Sequence, residues 1–342
     1  GFVSHAEGNS TASGSYSHSE GYSTTAVSAY THVEGWSTLA IGKASHAEGY
    51  TTTASGYVSH SEGIYSTASG NYSHAEGSGT TASGKASHAE GNKTQAIGIA
   101  SHTEGYITTA STMYSHAEGY RTNASGDYAH AEGEDSKSTG RAAHAEGSST
   151  ASGIQSHSEG SATLASGFAS HAEGSNTTAS GSYGGQHAEG YSTTASGWYS
   201  SHSEGYDTLA SGYRGSHAEG FFTTASGKYG SHSGGWGYDN THRIIASGYG
   251  SFNHSVTTES YAGLGATQIG SAILGGTDNT CQYQNSVVLG GTGITARVEN
   301  TVYVPQLEII YGTQSQIIMI DRGTGARNYV YLSGGTFIAV PI

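Results

Sequence analysis

Along the first two thirds of the chain, small residues alternate with larger polar ones at a period of two, and the alternation restarts behind a glycine about every seven residues. In residues 45–58, Ser45, Ala47 and Gly49 share one side of an extended half, with His46 and Glu48 on the other. In the next half Thr52, Ala54 and Gly56 share a side, opposite Thr53 and Ser55. The only side that is small in both halves is the alanine side. Two such halves turned back on each other therefore enclose a very narrow coil lined by Ala, Ser and Gly. Glycine at the end of each half fits a corner that needs positive φ. The pattern predicts one coil per fourteen residues, stacked in parallel at about 4.8 Å. Helix is the weaker reading, because a glycine every seven residues costs about 1 kcal/mol each in a helix interior.

Seventeen of the nineteen histidines mark this unit, from His5 to His232, and sixteen of them are followed two residues later by Glu. An array of that length predicts a solenoid rod rather than a globular core, about 75–80 Å over this stretch. Two spacings of thirteen, His5 to His18 and His144 to His157, lose a corner residue. After His171, Gly184-Gly185, Ser200 and Gly215 are inserted before the histidine strand. Corners, not strands, are expected to absorb length changes. The rod is read over 1–234, an irregular connection over 235–263 with Ile244–Gly248 as a remnant of the second half, and hydrophobic coils over 264–307, where Ser271–Gly276 and Ser286–Gly291 lie fifteen residues apart. Residues 308–342 read as a small β cap or tip, with turns at 321–325 and 333–335.

Composition excludes several classes. With 34% hydrophobic residues and 54 glycines the chain resembles a low-complexity segment, but strict periodicity and only 11% charge argue for order. Net charge −14 with 12 scattered Lys and Arg excludes a nucleic-acid partner. The single Cys281 excludes an intrachain disulfide framework, and no run of about 18 apolar residues suggests insertion in a bilayer. Gly1 already lies inside a repeat, so an interior or C-terminal piece of a longer polypeptide is expected.

The units Ser-His-Ala-Glu-Gly and Thr-Ala-Ser-Gly, the variants Ala40-Ile41-Gly42 and Ala96-Ile97-Gly98, and the Ser286–Gly291 coil resemble the YadA-like head repeats of trimeric autotransporter adhesins. They are similar also to repeats of phage and viral tail fibres that precede a sequence like Val302–Leu307. The likeness spans about residues 3–307. It implies an all-β, left-handed parallel β-roll assembled as a parallel homotrimer, with the histidine half facing the partner chains. The family's membrane-anchor barrel and coiled-coil stalk have no counterpart in this sequence, which favours a fibre or a head.

On that reading His46, Glu48, His60, Glu62, His74, Glu76, His88, Glu90, His102, Glu104, His116 and Glu118 belong to an interface ladder of neutral imidazoles donating to carboxylates. No cofactor is expected. The one opening for a ligand is a metal ion or anion on the trimer axis, where three imidazoles would meet. Catalysis is not expected, since an acid–base pair repeated sixteen times has no unique cleft. Trp36, Tyr50, Tyr106, Tyr120, Tyr191, Tyr206, Phe221 and Trp236 follow the glycine of the histidine strand, and Tyr16, Tyr30, Tyr72, Tyr114 and Tyr128 precede that strand. Such corner aromatics pack over neighbouring coils or offer a platform to a glycan or protein receptor. The expected function is an extracellular attachment fibre on a virion or cell surface. The alternatives are a filament subunit without a receptor, or a fibre whose C-terminal region cleaves itself or a glycan.

Overall fold

The computed structural model describes residues 1–258 and 265–305, together with the strands Ile317–Ile320, Arg327–Ser333 and Thr336–Pro341. Among these residues there is no helix. Residues 1–303 form one unit, a parallel β-solenoid of about 21 turns with a repeat near fourteen residues. Each regular coil carries a histidine strand such as His46–Tyr50 and a short threonine strand such as Thr53–Ala54. Histidine strand pairs only with histidine strand and threonine strand with threonine strand, in register: His32↔His46 and Glu34↔Glu48, Leu39↔Thr53 and Ala40↔Ala54. The register follows from parity, since a slip of one residue would turn every alanine outward.

The interior is as narrow as the sequence suggests. Ala26, Ala40, Ala47, Ala54, Ala68 and Ala75 are all fully buried, and Ser45, Thr52 and Ser59 line the same space. Their hydroxyls satisfy the corner carbonyls: Ser45 Oγ donates to the Gly42 carbonyl (2.6 Å), Ser59 to Gly56 (2.8 Å) and Thr52 to Glu48 (3.1 Å). Where serine replaces the strand alanine it finds a hydroxyl across the coil, as in Ser61 Oγ to Ser66 Oγ (2.9 Å) and Ser203 Oγ to Thr208 Oγ1 (2.7 Å). In alanine coils the facing hydroxyl is often unpartnered, as at Thr80, Thr94 and Thr122.

The corners require a correction. Gly49 does take positive φ (108°), but Gly56 does not. Gly56 is fixed by close approach instead, because a Cβ there would strike the carbonyl oxygen of Gly70 in the next coil. The left-handed corner positions are filled by other residues, Ala44 (58°), Thr51 (57°) and Val58 (52°) in three successive corners. Ladder hydrogen bonds hold them, from Thr51 N to Trp36 O (2.8 Å) and from Val58 N to Lys43 O (3.0 Å).

Length changes do fall at corners. The 13-residue coils shift register between Asn9 and Ser10 and between Ser148 and Ser149, which leaves the left-handed Ser23 and Ala162 of the following coils without a counterpart. The later insertions sit at left-handed Gly184, Gly185, Ser200, Gly215 and Gly230. Gln186 then replaces the corner serine, fully buried, and donates to the carbonyls of Gly184 and Gly197 (both 3.1 Å).

Within 235–258, the described part of the stretch read above as irregular connection, the ladder continues. Ile244–Ala246 pairs with Thr223–Ala225, and Phe252–Val256 pairs with His232–Trp236. The irregular part is the insertion between Trp236 and Ile244. Arg243 pins it, donating to the Asp207 carboxylate (2.7 Å), Thr224 Oγ1 (2.8 Å) and the Thr223 carbonyl (2.8 Å). Hydrophobic coils extend the same stack, with Phe252↔Ala272, Ile273↔Val288 and Val287↔Val302. Ile273, Cys281, Val288 and Ala296 fill their interior. In the second unit, 304–342, the three C-terminal strands form an antiparallel sheet in chain order, with Ile318↔Tyr329 and Val330↔Ala339. Residues 259–264, Gln306, Leu307, 308–316, the turn at 321–325 and Gly334-Gly335 lie outside the described residues.

Candidate functional site

Parity puts His and Glu of each coil on the outer face of the histidine strand, and ladder pairing puts each His on the next. The imidazoles of His46, His60, His74, His88, His102 and His116 stack at 4.7–4.9 Å between ring centroids, within 17° of parallel. The stack runs on through His130 to His217 at the same spacing. The last contact, His217 to His232, turns edge-on at 73°, and His232 then stacks on Phe252. The column therefore ends where Gly234 replaces the glutamate.

Carboxylates stand beside the imidazoles, and at His88, His187 and His217 two come within 4.0 Å, one from the same coil and one from the coil before. His88 Nε2 lies 3.4 Å from Glu76 and 3.8 Å from Glu90, and His187 Nε2 lies 3.6 Å from both Glu173 and Glu189. Within single coils His46–Glu48 is 3.6 Å, His60–Glu62 3.7 Å and His116–Glu118 3.5 Å. His74 lies 3.9 Å from Glu62. Glu104 stands in the column beside Glu118, in register with it. Most of these separations exceed a hydrogen bond. Among the described coils, true bonds are made by His144 Nε2 to Glu132 (3.0 Å) and His232 Nε2 to Glu219 (3.2 Å). Thirteen of the Nε2 atoms are sealed from solvent with no hydrogen-bond partner, His46, His60, His74, His88, His102 and His116 among them. The expected ladder of donating imidazoles is thus present as geometry, while its bonds within one chain are mostly unmade.

Electrostatics follow from this packing. Burial, and then the adjacent imidazoles, lower the pKa of His46, His74, His102 and His171, against the pull of the flanking carboxylates. The same burial lowers His116, His130, His202 and His232. Burial and its neighbours Glu132 and Glu104 raise the carboxyl of Glu118. Burial pushes Glu132 the same way, but hydrogen bonds from His144 and Glu118 outweigh it and leave its pKa lowered. Along the glutamates runs an open groove floored by glycine, with Glu34, Gly35, Glu48, Gly49, Glu62 and Gly63 in one stretch.

The corner aromatics form separate stacks. Tyr22, Trp36 and Tyr50 make one (4.4 and 6.4 Å), and Tyr106 with Tyr120 a second (5.3 Å). Tyr191, Tyr206, Phe221 and Trp236 make a third (5.1, 4.6 and 6.4 Å). Ile64, Ser78 and Asn92 separate the first two along the same ladder. All are solvent-exposed except Phe221, which is half-buried. On the other edge Tyr16 stacks on Tyr30 (5.3 Å) and Tyr114 on Tyr128 (5.1 Å), and Tyr72 packs edge-on against Tyr57. Sequence reasoning missed a further cluster there, Tyr183, Trp198, Tyr199, Tyr213, Tyr229 and Tyr249, with Arg214 over both Tyr199 and Tyr213. Its signal was the inserted corners, which bring the extra aromatic residues.

These features define a repetitive β-solenoid with two kinds of decorated face, a His–Glu column and aromatic edges. No family model matches the chain, and no curated protein matches it. Among the described residues no helix is long and apolar enough to cross a membrane.

Proposed function

We propose that this chain is the shaft of an extracellular attachment fibre, of a virion tail or a cell surface. In this reading the solenoid is a left-handed β-roll, three copies pack in parallel with their His–Glu faces toward a common axis, and the C-terminal sheet caps or tips the rod. The resemblance to YadA-like head repeats supplies the hand and the number three. The observation that carries the reading is the parallel stack of about 21 turns, whose repeated faces suit a spacer. The His and Glu side chains of that face stay about one-third exposed in the single chain, 36% for His46 and 33% for Glu48, which leaves surface for a partner chain to cover. The exposed aromatic stacks are assigned to a glycan or protein receptor, since rigid amphipathic rings bind at low entropic cost. No catalytic step is assigned.

Sedimentation equilibrium should give three times the chain mass, and a monomer at micromolar protein would refute the assembly. Binding to host cells or a glycan array should fall when Tyr106 and Tyr120 are both changed to Ser. Unchanged binding by that variant, and by one altered in the third stack, would leave a filament subunit without a receptor.

A further inference from the structure

We propose that the His–Glu column is a one-dimensional array of transition-metal sites, each built by Nε2 of two successive histidines and the carboxylate of the glutamate between them. His74–Glu76–His88, His116–Glu118–His130 and His157–Glu159–His171 are such triads, with their ligand atoms all within 4.8 Å of one another. The array lies within one chain, so it does not depend on the trimer.

Three observations carry it. Nε2 of His74, His88, His116, His130, His157 and His171 is shut off from water yet bonded to nothing, which leaves a lone pair or proton unserved. The nearest carboxylate oxygens stand too far for a hydrogen bond, at 3.4 Å for His88–Glu76 and 3.5 Å for His116–Glu118. That is the separation of two ligands on one tetrahedral ion with bonds of about 2.0–2.1 Å. Finally, the ladder holds successive rings at 4.7–4.8 Å in these triads, close enough for one ion to bridge them once the two near-parallel rings rotate toward each other. Two imidazoles and one carboxylate suit Zn²⁺, Cu²⁺ or Ni²⁺ rather than Ca²⁺ or Mg²⁺, which prefer all-oxygen shells. Water or a neighbouring chain completes the shell.

The geometry also sets a ceiling. Each histidine presents a single Nε2 to the column, so His88 cannot serve both His74–Glu76–His88 and His88–Glu90–His102. Filling is limited to one ion for every two coils, or eight for seventeen histidines. A divalent cation in every second coil would also relieve repulsion along the glutamate column.

Titrating metal-free protein with Zn²⁺ at pH 8 by calorimetry should saturate at no more than eight ions per chain. The melting temperature should rise with Zn²⁺ or Ni²⁺ and stay put with Ca²⁺ or Mg²⁺. With Cu²⁺, electron paramagnetic resonance should report two nitrogen ligands per ion. The isosteric triple variant Glu76→Gln/Glu118→Gln/Glu159→Gln keeps the packing and should bind Zn²⁺ at those coils at least about tenfold more weakly. Glu299→Gln, in the hydrophobic coils, should change nothing. Saturation near one ion per histidine, equal stabilisation by Ca²⁺, or unaltered Zn²⁺ affinity in a triple variant with native circular dichroism would each overturn the array. Because sedimentation is measured separately, loss of the trimer and loss of metal binding are distinguishable.

Discussion

Val58 carries a β-branched side chain at φ 52°, a region that only Gly, and sometimes Asn or Asp, enters without penalty. The residue is 42% exposed, so little packing offsets the strain. Val58→Gly should stabilise the chain by about 0.5–1 kcal/mol, read as a higher melting temperature. A lower one would mean that the corner is not left-handed. Inside the coil, the hydroxyl of Thr94 has no partner, while Ser61 and Ser203 show how a serine at the strand alanine provides one. Ala89→Ser should therefore add about 1 kcal/mol, and Ala89→Val, which is bulkier but bears no hydroxyl, should not. Neither site was legible in the sequence. Parity told which side Ala47 and His46 face, but periodicity carries no sign of φ, and it does not say which two hydroxyls meet across a space.

At the scale of the coil, a corner glycine can be required by close approach or by φ alone. A Cβ on Gly56 would collide with the Gly70 carbonyl of the next coil, although its φ is ordinary. Gly215 sits at φ 60° with no atom near the place of a Cβ. Gly56→Ala should cost well over 1 kcal/mol, while Gly215→Asn should fall within about 0.5 kcal/mol of the parent in thermal denaturation. Equal effects would refute close approach as the reason for Gly56. The assignment of both terminal glycines to positive φ failed here because the sequence shows one letter for two different constraints. What the sequence did expose was the position of length changes, since the extra residues at 184–185, 200 and 215 stand outside the alternation. The ladder through 235–258 was obscured by the insertion before Ile244, which displaces the repeat without ending it.

For the whole molecule, pH is the sharpest lever. Eight imidazoles have pKa values lowered by burial and by their stacked neighbours, so the unfolded chain binds more protons than the folded one below the ordinary histidine pKa. Their stabilising effect is complete above about pH 6.5 and declines as pH falls below it toward the lowered values. The facing Glu48, Glu76, Glu104 and Glu132 oppose this loss. Melting temperature should hold from pH 8 to 7 and drop between 6.5 and 5, and a profile that rises over that interval would show that the carboxylates dominate. The shift was foreseeable from His repeated at a ladder spacing, whereas the shortage of hydrogen bonds to glutamate needed coordinates.

A ruler whose marks are all alike has no zero. With His on His and Glu on Glu for sixteen coils, a second copy laid alongside and displaced by one coil, about 4.8 Å, would meet nearly the same contacts. The short coils at residues 9–10 and 148–149 and the enlarged corners from 184 to 230 break that sameness at unequal intervals. In the assembly proposed above they would act as the notches of a key, matching in one alignment and missing in all the others. Irregularities that look like decay of the repeat would then be what lets identical rods find their phase.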